Sequence, residues 1–228
     1  SKSGKESSSN SNGSKMGGTD SAGSSNSEQG SGSTGDSSTS TEKYQIQNNA
    51  VLLRNTSDID WNELQNQAEN LYKSWTTITL DLNTMNVTSD DILAYNTNLD
   101  NLMISLKEKN KINSAICLAN MYSLIPKYTN EISSDTTKSK LENVKSNIIF
   151  AYSIVETDRW DDILKLLGQA ETDLTELMTM KENLSTMRKP KINKAYVLLK
   201  ELIKSSNDKN VDIFYLKYIN LIEELDNL

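Results

Sequence analysis

The fold is decided by residues 61–85, WNELQNQAENLYKSWTTITLDLNTM. Apolar side chains recur there at alternating steps of three and four, the spacing of one face of an α-helix: Trp61, Leu64, Ala68, Leu71, Trp75, Ile78, Leu82 and Met85. Ser57, Asp58 and Asp60 precede this run and supply capping and first-turn oxygens. We therefore predict an amphipathic helix about 36 Å long that buries one face.

The same spacing continues to the C-terminus and predicts further helices around residues 89–111, 112–128, 141–155, 160–178, 190–202 and 211–228. Pro126 should kink or end the third helix, because proline lacks the amide donor of the helix ladder. Pro190 suits the first position of the sixth helix. A short lead-in helix is predicted over residues 46–53. The connections are short, so we expect an all-α protein, an antiparallel up-and-down helical bundle of about six to seven helices.

The helical pattern contains a candidate internal repeat of about 100 residues. The apolar spacing that begins at Trp61 recurs from Trp160, and five residues of the second helix region recur at an offset of 100: Ile92, Leu99, Leu102, Lys109 and Asn110 match Ile192, Leu199, Leu202, Lys209 and Asn210. Helices one to three would then correspond to helices five to seven. The alternative is coincidence, because helices of this kind align easily.

The N-terminal segment has a different composition. Residues 1–43 contain no Leu, Ile, Val or aromatic side chain, which is too little apolar surface to offset the entropy of ordering a backbone. We predict a disordered Ser/Gly/Asn-rich tether over residues 1–45 and one helical bundle domain over residues 46–228.

Charge and composition exclude several classes of function. The net charge of −7 argues against nucleic-acid binding and against unaided adhesion to anionic lipids. Histidine is absent and Cys117 is the single cysteine, which excludes an internal disulfide, the Ser-His-Asp and Cys-His arrangements, and zinc sites of Cys/His type. We predict no catalytic residue, no cofactor and no nucleic-acid partner.

The N-terminal composition resembles that of mature lipoproteins of low-GC Gram-positive bacteria, in which a lipid-modified Cys directly precedes such a tether. The resemblance covers residues 1–43. It implies an extracytoplasmic protein held at the cell membrane by a lipid anchor upstream of Ser1. A secreted protein or an engineered linker would have the same composition.

The densest group of charged side chains is ETDRWDD, residues 156–162. It holds four carboxylates of the kind that bind Ca²⁺ or Mg²⁺: Glu156, Asp158, Asp161 and Asp162. It also holds the candidate partner-binding residues Arg159 and Trp160, the latter as an apolar anchor.

A simpler interpretation places this stretch at the start of the fifth helix. Asp158 would cap that helix, Asp161 and Asp162 would lie at its positive end, and Arg159 would pair with a neighbour. We therefore predict no metal site, with the four carboxylates as the candidates if one exists.

Three other features are interpreted structurally. Residues 58–69 resemble an EF-hand loop, but Glu63 stands where the turn requires Gly, so we reject that motif. Cys117 should be a small core or boundary residue, and Trp61, Trp75, Met85 and Trp160 should be core. The basic stretch at residues 187–194 should be a solvated turn that complements a helix C-terminus.

Taken together, these features predict a non-enzymatic, surface-tethered lipoprotein whose helical bundle binds an unknown protein or small ligand. The alternative is a lipoprotein that binds divalent cations through carboxylates, and a third hypothesis is an enzyme using Asp/Glu or Ser-Lys pairs. Inward-pointing carboxylates would distinguish them. The predicted core positions are almost purely apolar, which favours the binding module.

Overall fold

The structure, a computed structural model, describes residues 59–85, 87–180 and 188–228. These residues form helices and no β-strand: α1 (Trp61–Thr84), α2 (Ser89–Lys107), α3 (Lys111–Tyr122), α4 (Ile125–Ile132), α5 (Thr136–Ser153), a 3₁₀ turn (Val155–Thr157), α6 (Trp160–Thr179), α7 (Arg188–Asn207) and α8 (Val211–Asp226). The predicted all-α fold is confirmed. The predicted tether and the lead-in helix over residues 46–53 lie outside the described residues.

Both prolines act at helix starts. The third predicted helix is divided into α3 and α4, and Pro126 lies in the first turn of α4, where its missing N–H leaves no hydrogen bond unmade. With α3 and α4 counted as one broken helix, the described residues hold seven, as predicted. Pro190 is the third residue of α7 as described, not the first.

The buried apolar side chains form two clusters rather than one. The first joins α1, α2, α3 and α4 around Trp75, Leu99 and Tyr128. The second joins α5, α6, α7 and α8 around Ile148, Leu167 and Phe214. Apart from α3 and α4, helices adjacent in sequence pack on one another, and α5 also contacts α3 and α8, so α5 connects the two halves.

The corner between α2 and α3 is repeated between α7 and α8. Lys109 and Lys209 adopt the left-handed conformation, with φ of 54° and 52°. The following amides, of Asn110 and Asn210, donate to the carbonyls five residues back at 2.9 and 3.2 Å. This is the Schellman arrangement that ends a helix.

The same two asparagines then begin the next helix. The side chain of Asn110 accepts from the N–H of Asn113, and that of Asn210 accepts from the N–H of Ile213, both at 3.0 Å. The buried serines Ser105 and Ser205 precede the two corners at equivalent positions. This matching geometry supports the predicted correspondence of α1–α2–α3 with α6–α7–α8.

We predict that Lys109→Gly and Lys209→Gly each raise the free energy of unfolding by about 0.5–1 kcal/mol, because glycine has no Cβ to strain the left-handed conformation. Urea denaturation measures the change. The control Lys204→Gly, on the exposed side of α7, should lower the free energy of unfolding by about 1 kcal/mol. Destabilisation by all three substitutions would contradict the interpretation of the corners.

Candidate functional site

The acidic stretch at residues 156–162 is divided between two environments. Glu156 turns toward α3 and α8, where its Oε1 accepts from Lys111 Nζ at 2.6 Å and from the hydroxyl of Tyr215. Asp162 Oδ2 instead accepts from Arg159 Nε at 2.7 Å. Within the described residues, no group of three or more Cys, Asp or Glu side chains is arranged to hold a metal ion.

The prediction that Asp158 caps α6 is wrong. Arg159 occupies the capping position and makes no capping bond with its side chain. Asp158 ends the preceding 3₁₀ turn with a left-handed φ of 56°, and its backbone carbonyl accepts from the N–H of Trp160 at 2.9 Å. Asp161 and Asp162 lie in the first turn of α6 as predicted, where carboxylates suit the positive end of the helix.

The two candidate partner-binding residues are in different positions. The side chain of Trp160 is only 5% exposed and belongs to the second core cluster, so its interpretation as core is confirmed and it offers no anchor at the surface. The side chain of Arg159 is 55% exposed and paired with Asp162. The structure therefore does not bring them together as one binding surface.

Of the remaining structural interpretations, those of Cys117 and of the EF-hand-like residues are confirmed, and two others are wrong. Cys117 is partly buried against the first core cluster, and burial raises the pKa of its thiol. Asp60 caps α1 by accepting from the N–H of Glu63 at 3.0 Å, which is incompatible with an EF-hand loop. The prediction that the basic stretch is a solvated turn is wrong, because its described residues, 188–194, form the start of α7. Lys191 Nζ in that stretch donates to the carbonyl of Asn227 at 3.1 Å. The prediction that Met85 is core is also wrong, since its side chain is 46% exposed.

A group of tyrosines around Glu156 was not predicted. This tyrosine cluster comprises Tyr122, Tyr152, Tyr215 and Tyr218. The rings of Tyr152 and Tyr218 stack with centroids 4.3 Å apart, and Tyr215 lies 5.6 Å from Tyr152. Tyr122 donates to Glu142 Oε2 at 2.6 Å. The one available sequence signal was the spacing of Tyr215 and Tyr218, three residues apart on one face of α8.

The tyrosine cluster connects helices, and three of its hydroxyls have raised pKa values. Burial raises the pKa of Tyr152 and Tyr218, and burial together with the carboxylate of Glu142 raises that of Tyr122. Lys145, beside Glu142, also reaches Asp226 at 3.0 Å. The stacked rings of Tyr152 and Tyr218, together with the hydrogen bonds from Tyr122 to Glu142 and from Tyr215 to Glu156, link α3, α5, the 3₁₀ turn and α8.

The exposed surface with the clearest pattern is on α1. Two apolar stripes run along this helix at seven-residue spacing. The first is buried: Trp61, Ala68, Trp75 and Leu82, each at most 7% exposed. The second we call the open face: Leu64, Leu71, Ile78 and Met85. Leu71 is half-buried, and the other three are 37%, 42% and 46% exposed.

The equivalent stripe of α6 is fully covered. Trp160 matches Trp61, so Ile163, Ala170 and Leu177 occupy the positions of Leu64, Leu71 and Ile78. These three α6 side chains are at most 2% exposed. The difference follows from the neighbours, because α6 packs on both α5 and α7 whereas α1 packs mainly on α2. The open face is therefore an apolar surface with no covering helix among the described residues.

We predict that about millimolar Ca²⁺ or Mg²⁺ leaves the melting temperature within about 1 °C, because a ligand stabilises a protein only by binding its native state and the carboxylates of residues 156–162 do not converge. Thermal unfolding followed by circular dichroism checks this. A rise of several degrees that Asp158→Asn with Asp162→Asn abolishes would instead establish a cation site.

Within the described residues, no helix combines the length and the apolar character needed to cross a membrane. No protein-family model, no curated protein and no solved structure matches this chain.

Proposed function

We propose that this chain is a non-enzymatic binding module, displayed outside the cell membrane as a tethered lipoprotein, and that it docks a partner protein on the open face of α1. The observation that carries the proposal is the contrast between the open face and its counterpart on α6. One helix leaves accessible the apolar side chains that the other buries completely. Exposed apolar residues in a regular row are typical of interaction surfaces.

The shape of the open face favours an amphipathic helix as the docked element. A row of apolar side chains at seven-residue spacing accepts a second helix that carries its own apolar stripe. Complete burial of a Leu or Ile side chain contributes about 1.5–3 kcal/mol. Burial of the remaining exposed area of Ile78 and Met85 would thus contribute part of the binding free energy.

The charges beside the open face favour a protein over a lipid or nucleic-acid partner. Glu63 lies one residue before Leu64, and Asp81 lies three residues after Ile78, so both flank the apolar row. Carboxylates at this position disfavour phosphate-bearing surfaces. They suit a helix whose apolar stripe is bordered by Lys or Arg.

The tether supports presentation at a surface. Its residues 1–43, which contain no Leu, Ile, Val or aromatic side chain, would span roughly 35–40 Å as a Gly/Ser-rich linker. A domain held in this way can reorient to meet a partner. Anchoring through a lipid upstream of Ser1 would supply the membrane attachment, because a net charge of −7 opposes unaided adhesion to anionic lipids.

The docking proposal is tested with a photo-crosslinking amino acid at Ile78 of the full-length protein in intact cells. We expect a discrete crosslinked protein, and we expect Met85→Asp to reduce its yield at least tenfold, since a buried charge without a partner opposes docking. The matched control is the same group at Thr77, the exposed adjacent position on α1. Equal crosslinking from Thr77, or none from Ile78, would refute docking on this face.

The proposed lipid anchor is tested separately, first in the gene sequence. We expect a Cys codon within a residue or two upstream of Ser1 and expect the full-length product to sediment with membranes. Changing that Cys to Ser should release the protein, because nothing else is proposed to anchor it. One acyl chain binds a membrane only marginally, so mass spectrometry should find two or three. Absence of a Cys there, or a native protein free in the cytoplasm, would exclude the lipoprotein assignment.

A further inference from the structure

We infer that residues 46–53 of this same chain cover the half of the open face nearest the start of α1, in the way that α5 covers α6. The inference goes beyond the proposed function, because it leaves Ile78 and Met85 as the portion available to a partner. It depends on the structural repeat and on the spacing of apolar residues in the chain directly upstream of α1.

The covering role of α5 follows from the neighbours of α6. Both apolar stripes of α6 are buried, and α6 packs most extensively on α5. On α1 the stripe of Trp75 is buried against α2, where the ring of Trp75 stacks on that of Tyr95, while the second stripe remains open. The neighbour that α6 has and α1 lacks among the described residues is therefore an equivalent of α5.

The chain upstream of α1 has the apolar spacing of α5. The side chains that α5 buries completely are Val144, Ile148 and Ala151, with steps of four and three. Ile46, Ala50 and Leu53 repeat those steps, and a helix was predicted there from the sequence. A segment with this spacing presents one apolar face when helical.

The connection has the right length. Seven residues, 54–60, separate Leu53 from Trp61, and eight residues, 152–159, separate Ala151 from Trp160. The order in the chain is also the same, since α5 directly precedes α6. A short connection makes docking intramolecular, which raises the effective concentration of the segment to roughly millimolar.

The length of the segment limits how much of the open face it can cover. Residues 46–53 span about 12 Å as a helix, and Leu64 to Leu71 spans about 10.5 Å along α1. A segment running antiparallel to α1 from Leu53 beside Leu64 would therefore end near Leu71. Ile78 and Met85 lie beyond it and stay accessible.

Paired cysteines test the placement in the full-length protein, with Cys117→Ser removing the native thiol. We expect Leu53→Cys with Leu64→Cys to form an intramolecular link with a short thiol crosslinker. The control pair Leu53→Cys with Met85→Cys should not. Leu53 would lie beside Leu64, and Leu64 is about 30 Å from Met85 along the helix axis. A link that forms only between two molecules would show that a second copy covers the face, and would overturn the inference.

Single substitutions test whether the contact stabilises the fold. Leu53→Asp should lower the melting temperature by roughly 4 °C or more and should speed amide hydrogen exchange over residues 62–72. Asn48→Asp, which adds the same charge off the apolar face, should change neither. No effect of Leu53→Asp, together with no link from the first cysteine pair, would overturn the inference.

These results separate the two proposals. A link between positions 53 and 64 without any crosslinked protein from Ile78 would retain the own-chain cover and reject the partner. A crosslinked protein from Ile78, with no link between positions 53 and 64, would do the reverse.

Discussion

A helix with two apolar stripes needs two neighbours, and this requirement organises the molecule. In α6 the stripes of Leu167 and Ala170 are both completely buried, because α5 and α7 pack on either side. The second core cluster is built around α6 and these two neighbouring helices. In α1 the stripe of Trp75 is buried and the stripe of Ile78 is not. The surface of interest is thus a consequence of unequal coverage of two similar helices, not of an unusual residue.

The repeated corners explain why the two halves are comparable at all. A left-handed lysine and a capping asparagine fix the direction of α3 relative to α2, and the same pair fixes α8 relative to α7. Matching corners give the two halves matching helix directions. Differences between the halves must then come from the helices that pack on them. The main difference among the described residues is α5, which packs on α6 and has no equivalent on α1.

Charged side chains in the described residues act mainly through local pairs. Lys127 donates to Asp91, and Lys200 donates to Glu171, which lowers the pKa of each carboxyl group. Pairs of this kind on a surface contribute little stability. The more enclosed pair of Lys111 and Glu156 joins the start of α3 to the 3₁₀ turn after α5 and continues into the tyrosine cluster. Carboxylates close in sequence are therefore separated in function by the neighbours they face.

The sequence by itself determined the helices, the break at Pro126 and the burial of Trp61, Trp75 and Trp160, because periodicity and capping act over a few residues. It also contained the repeat, visible as Lys109-Asn110 and Lys209-Asn210. Only the tertiary structure decided that Met85 and Ile78 stay exposed, that Glu156 turns away from Asp158, and that Tyr152 meets Tyr218. Periodicity marks an apolar face, but burial requires a neighbour, and neighbours are set by contacts between distant parts of the chain.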